Sequence, residues 1–284
     1  MILIKSASAL VQHLRQSSAT GKTIGFVPTM GALHQGHLSL LEASKKGNNC
    51  TVCSIFINPT QFNDPKDFEK YPVTIDKDIE LLENLGVDIL FLPLATEIYP
   101  DGTNNLEQYD LGVLESVLEG RYRPGHFQGV CQVMNRLLDI IKPDNLYMGQ
   151  KDYQQCLVIG KLLKLTGKAT SLHICETLRE ADGLAMSSRN LRLNPTERKQ
   201  AVAISIILKR ICQSAQPGPL QPISSAAEQA LSEQGFKVDY VAIADAGTLE
   251  VPEEWDGQTP MVALAAAYLN EVRLIDNMII PAIK

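Results

Sequence analysis

The sequence predicts an α/β fold, a parallel sheet with crossover helices, followed by a smaller C-terminal α+β domain. Three observations carry this. From the start to about residue 176, short apolar runs alternate with amphipathic ones. The apolar runs are hydrophobic at successive positions, as strands buried on both faces are. After Arg192 the alternation stops, and helical stretches are followed by successive strand-like runs.

In chain order, a Ser/Ala/Gln-rich helix follows Lys5, and strands are predicted at 23–27, 51–57, 87–92, 145–148 and 171–175. Amphipathic helices are predicted between them, at 38–46, 75–85, 127–141 and 153–165. Asn194-Pro195-Thr196-Glu197 starts a helix, with Asn as N-cap, Pro at the first position and Glu at the third. That helix should run to about Cys212. The Pro/Gly-rich stretch 216–222 is a link, and beyond it come a helix at 225–234 and strands at 238–243, 261–267 and 272–280. The expected domains are 1–177 and 178–284, with the boundary just before or within 177–190.

Composition bounds the function. A net charge of −6 provides no basic footprint for nucleic acid, so no nucleic-acid partner is expected. No apolar run approaches a membrane span and no secretory segment opens the chain, so a cytoplasmic protein without membrane contact is expected. The six cysteines include Cys50 and Cys53 in a strand-like run. Residues three apart on a strand face opposite sides, which favours buried core thiols over a disulfide or a shared metal.

The most informative stretch is Pro28-Thr29-Met30-Gly31-Ala32-Leu33-His34-Gln35-Gly36-His37, between a strand and a helix. Helix N-termini offer unpaired N–H groups and partial positive charge to phosphate, and glycine lets backbone approach a ligand. His34 and His37 would add donors to phosphate oxygens that gain charge during nucleotide transfer. Other candidates also follow strands. Asn58 and Gln61, in Asn-Pro-Thr-Gln, suit a substrate with hydroxyl and carboxylate groups, or form a plain Asn-Pro turn. Gly149-Gln150-Lys151-Asp152 combines an open backbone, a cation for phosphate or carboxylate and an acid for ribose, or is only a capped helix start with a solvated Lys. Gln155 lies one turn further on. Met186-Ser187-Ser188-Arg189-Asn190 is either a mobile phosphate clamp or a surface loop. Arg121, Arg123 and His126 form either an anion-facing loop or a solvated basic turn. Asp76 and Asp78 are expected only to cap and solvate a helix start. No Walker-A, dinucleotide-binding or serine-elbow motif is present, and no residue set is expected to ligate a metal.

Together, in this order and spacing, these segments resemble the pantothenate synthetase (pantoate–β-alanine ligase) family of the nucleotidyltransferase group. The resemblance spans nearly the whole chain and rests on 28–37, 58–62, 123–127, 149–155 and 186–190. It implies a Rossmann-like first domain, a smaller lid-like second domain and a cytoplasmic homodimer. It also implies condensation of (R)-pantoate with β-alanine through a pantoyl adenylate, with ATP and Mg²⁺. On matching positions it implies that Met30, Gly31, His34, His37, Gly149, Lys151, Asp152, Leu178, Met186, Ser187, Ser188 and Arg189 contact ATP. His37 is then the proton donor, with His34 and Lys151 beside it in the chemistry. Gln61, Gln155, Asn58 and Met30 bind the substrates. Two positions depart from the family's habit: Val73 stands where Arg is usual, and Ala181 where Pro is common. The rival expectations are an enzyme that retains the nucleotide in its product, a nucleic-acid-binding module as in the aminoacyl-tRNA synthetases that share the histidine turn, and a non-catalytic nucleotide-binding protein.

Overall fold

The structure, a computed structural model, describes residues 1–63 and 65–283, without the side chains of Ser17 and Ser18. It divides into two compact units, Met1–Gln150 with Gln155–Glu176, and Lys151–Gln154 with Thr177–Lys284.

Six parallel strands form the first unit's sheet: β1 (Ile2–Ile4), β2 (Ile24–Thr29), β3 (Cys50–Ile55), β4 (Ile89–Phe91), β5 (Asn145–Gly149) and β6 (Ser171–Cys175). Their order is β1-β4-β3-β2-β5-β6. From β2 the chain therefore winds outward through β3 and β4, then returns to lay β5 on the other side of β2. In open sheets of this kind, ligands bind beyond the carboxyl ends of the strands where the winding reverses. Here those ends are Thr29 and Gly149.

Alternate residues of the central strands feed two separate cores. Phe26, Val52, Phe91 and Leu146 pack on one face, against α1 (Ala7–Ala19), α7 (His126–Ile141) and α8 (Tyr153–Leu165). Val27, Cys53, Leu90 and Tyr147 pack on the other, against α2 (Gln35–Gly47) and α4 (Ile75–Leu85). This division explains why the strands read as continuous apolar runs. It also separates Cys50 from Cys53, one in each core. The shorter helices are α3 (Pro65–Glu69), α5 (Ala95–Ile98) and α6 (Leu118–Tyr122).

In the second unit β8 (Lys237–Asp245), β10 (Met261–Leu269) and β11 (Val272–Ile280) form an antiparallel sheet in the order β11-β10-β8. Two-residue strands β7 (Gly218–Pro219) and β9 (Glu254–Trp255) pair separately, β7 lying within the predicted link. The helices are α9 (Pro195–Gln200), α10 (Ala203–Ser214) and α11 (Gln221–Glu233). Asn194 caps α9 in the expected capping box, its side chain accepting from Thr196 and Glu197 N–H groups. The helix expected to continue to Cys212 is two helices instead. Ala201 and Val202 keep right-handed dihedrals, but Ile204 N–H bonds the Ala201 carbonyl three residues back, tightening that turn.

Candidate active site

After β2 the chain must reverse to enter α2. Gly31 and Ala32 do this with φ of 82° and 49°, a left-handed pair that favours glycine at the first position. The turn is tied down from both sides. Thr29 Oγ1 donates to the Ser54 carbonyl at 2.8 Å and accepts from Gly31 N–H at 3.2 Å. Asp78, on α4 and fully buried, accepts the N–H groups of Ala32 (2.9 Å) and Leu33 (2.8 Å) and the hydroxyl of Thr74 (3.1 Å). Asp76 is exposed as expected, whereas Asp78 is a clamp on the turn and not a solvated helix-start residue. Contact across 46 residues of chain left no signal in the sequence.

His34 is the N-cap of α2 and His37 its third residue. Each imidazole accepts a backbone N–H at Nδ1: Gly36 to His34 at 3.1 Å, and His34 to His37 at 3.4 Å. The two rings lie 4.0 Å apart between centroids, tilted by 32°. A ring whose Nδ1 accepts carries its proton on Nε2, so each neutral histidine has its Nε2–H as donor. The capping box therefore fixes both tautomers, with each ring's proton on Nε2.

Gln61 sits in the 3-10 turn Pro59–Gln61, and its Nε2 donates to Met30 Sδ at 3.2 Å. The structure thus brings two expected substrate residues together. Asn58 is buried, and its side chain is spent inside the protein. Its Nδ2 donates to Gln61 Oε1 (3.2 Å) and the Gly129 carbonyl (3.1 Å), and its Oδ1 accepts from Tyr99 (2.9 Å) and Thr60 (3.1 Å) hydroxyls. These bonds set which way the Gln61 amide faces. Burial away from water raises the Tyr99 phenol above its ordinary value and keeps it protonated to donate. His126 is also buried; its Nδ1–H donates to the Gln61 carbonyl at 2.8 Å, leaving Nε2 to accept from Arg123 at 3.0 Å. The basic segment is therefore a support for Gln61 at His126, and not a wholly solvated turn. Its role was illegible in sequence because it acts on a backbone atom 65 residues away.

Gly149 ends β5 beside β2, and a Cβ added there would meet no atom within 4 Å. Gln155 is half-buried near the start of α8, in the same unit.

The second unit holds the other candidates. Lys151 and Asp152 lie in a 3-10 turn, with Nζ 3.7 Å from Oδ1. Leu178 is exposed, and its carbonyl accepts Met186 N–H at 3.1 Å across a small hairpin. Ser187 caps the following turn, accepting from Arg189 N–H at 3.3 Å, and Ser188 is buried. Built this way, 186–189 is an anchored turn. Lys151, Ser187 and Asn190 line one pocket with Asp276. Ala181 lies in the hairpin turn next to Asp182, which pairs with Arg198 at 2.7 Å, so the substituted position leaves a held turn.

The family model for pantoate-beta-alanine ligase matches residues 2–279. The pantothenate synthetase of Cytophaga hutchinsonii is 42% identical over 285 residues, 99% of either chain. That of Phocaeicola vulgatus is 41% identical over 280 residues, 98% of this chain and 99% of the relative. Pantothenate synthetase from Thermus thermophilus superposes with a TM-score of 0.90 at 37% identity, covering 99% of this chain and all of that one. The Francisella tularensis pantoate-beta-alanine ligase, solved with a β,γ ATP compound and β-alanine, gives 0.82 at 37% identity over 98% and 97%.

Proposed function

Because the chain belongs to the pantoate–β-alanine ligase family, we propose that it condenses (R)-pantoate with β-alanine to pantothenate, converting ATP to AMP and pyrophosphate through a pantoyl adenylate. The observation that carries this reading is the histidine turn at the reversal of the parallel sheet, with Gln61 held against Met30 beside it. A carboxylate does not acylate an amine at neutral pH, since its oxygen is too poor a leaving group. Attack by a pantoate carboxylate oxygen on the α-phosphorus forms the acyl–phosphate bond and expels pyrophosphate. The β-alanine amine then attacks the acyl carbon, and AMP leaves with the bonding pair.

The first step brings two anions together, so the site must align and neutralise them. In our reading the Nε2–H groups of His34 and His37 and the α2 N-terminus bind the phosphates, His37 donating as negative charge builds on the leaving group. Lys151, Ser187, Ser188 and Arg189 supply further charge and donors, and Met30, Gly31, Gly149, Asp152, Leu178 and Met186 shape the nucleotide site. Gln61 and Gln155 orient pantoate, with Asn58 acting through Gln61. No covalent enzyme intermediate is required. Mg²⁺ would come with the nucleotide and would neutralise charge on its phosphates, beside the donors supplied by Lys151 and Ser187–Arg189. Closure of the 178–284 region as a lid would shield the adenylate from water. We propose a cytoplasmic homodimer, on the family resemblance. Among the described residues no helix is long and apolar enough to cross a membrane, and sedimentation tests the dimer.

Free AMP together with the amide product is the expected outcome of a product analysis. A product that keeps the nucleotide would support the rival transferase reading and overturn this one.

A further inference from the structure

A charged network in the second unit supports Lys151 and the hairpin that leads to the serine turn. Arg179 follows Leu178 in the hairpin that ends at the serine turn, where it bridges Ala185. Its guanidinium grips Asp276 of β11 with two parallel bonds, Nη1 to Oδ2 at 2.7 Å and Nη2 to Oδ1 at 2.9 Å. Nη1 also donates to the Gly183 carbonyl at 3.0 Å, holding the far side of the same hairpin. Asp276 Oδ1 accepts Asn277 N–H at 2.8 Å, and Asn277 Nδ2 donates to the Lys151 carbonyl at 2.9 Å. Both Asp276 and Asn277 are buried. One chain of bonds thus joins the Lys151 turn, β11 and the hairpin that carries Leu178 and leads to Ser187–Arg189.

With Asp276 buried and Arg179 half-buried, the pair is a poor source of stability, because taking charge out of water offsets much of the attraction. Bidentate Arg–carboxylate geometry instead fixes orientation. We infer that Arg179, Asp276 and Asn277 are positioning residues for ATP, acting through the Lys151 backbone and the hairpin to hold the cation and the serine turn in one register. This rests on the reading that Lys151 and Ser187–Arg189 handle the nucleotide.

The test uses Asn277→Ala and the near-isosteric Asn277→Asp, which both remove the donor to Lys151, and Arg179→Lys, which keeps the charge but loses the fork. Lys151→Ala is measured beside them, alone and combined with Asn277→Ala. ATP affinity is read by calorimetry, pantoate KM and turnover by ATP–pyrophosphate exchange, and folding by thermal melting. In folded Asn277→Ala, ATP affinity and exchange should fall about 10- to 100-fold, the cost of a misplaced group, with pantoate KM unchanged. The double variant should bind ATP no more weakly than Lys151→Ala alone, since one residue acts through the other. Unchanged ATP affinity in both Asn277 variants, with Lys151→Ala impaired, overturns the inference alone, as do fully additive losses. A normal Lys151→Ala overturns the underlying assignment of Lys151 and the inference with it. If Arg179→Lys does not fold, the two Asn277 variants decide.

Discussion

Two histidines three apart do not by themselves say which ring nitrogen carries the proton. The capping box does: both Nδ1 atoms accept backbone N–H groups, so both Nε2–H groups are the donors. His34 and His37 were legible in the sequence because glycine, strand and helix signals surround them within ten residues. Asp78 was not, because its value lies in accepting two N–H groups from a turn on another element. Asp78→Ala should orphan both donors, costing about 1–3 kcal/mol for each buried group left unsatisfied. Chemical denaturation measures that loss, and ATP affinity should fall with it as the turn loosens. Wild-type stability in Asp78→Ala would mean that the turn holds its shape unaided.

Helix α7 shows how an element delivers a residue to a site. At Gly129 a Cβ would lie 2.3 Å from the Thr60 carbonyl oxygen and 2.8 Å from Gln61 Cα, both backbone atoms that cannot swing away. Gly129→Ala should therefore push the 59–61 turn outward, destabilising by about 1–3 kcal/mol as overpacked sites do. The displaced Gln61 should raise the pantoate KM more than the ATP KM in steady-state kinetics; equal effects on the two would contradict this role. At this scale the sequence was a good guide wherever an element had its own periodicity. Strands β3 and β5 and helices α4 and α7 follow from apolar pattern alone. Three-residue β1 did not, since an edge strand of that length makes sense only once β4 is there to pair with it. The tightened turn at 201–202 was equally silent, because its dihedrals stay helical and only its bonding changes.

For the whole molecule, the two-sided first-unit sheet has a consequence for its thiols. Burial away from water, the largest cause in each case, raises Cys50 from 9.0 to about 11 and Cys53 and Cys131 to about 12. The unfolded chain ionises these thiols first. Their contribution to stability is therefore fully present below pH 9.0 and lost as pH rises through 11 to 12. Denaturant midpoints measured across that window should fall with rising pH, and Cys50→Ser with Cys131→Ala should flatten the slope. At pH 8 an alkylating reagent should label the denatured protein much faster than the native one at Cys53. The α/β class and the smaller α+β region were legible because burial on both strand faces and the change after Arg192 are properties of composition along the chain. The supports behind the site were not, since the links from Asp78, His126 and Asn277 each join segments at least 45 residues apart. If the histidine turn activates pantoate by adenylation, ATP–pyrophosphate exchange without β-alanine isolates that step. Exchange should require pantoate and should fall by about 10²–10³ in a folded His37→Ala, the usual cost of one transition-state donor. Exchange that proceeds without pantoate, or that survives His37→Ala at the wild-type rate, would contradict it.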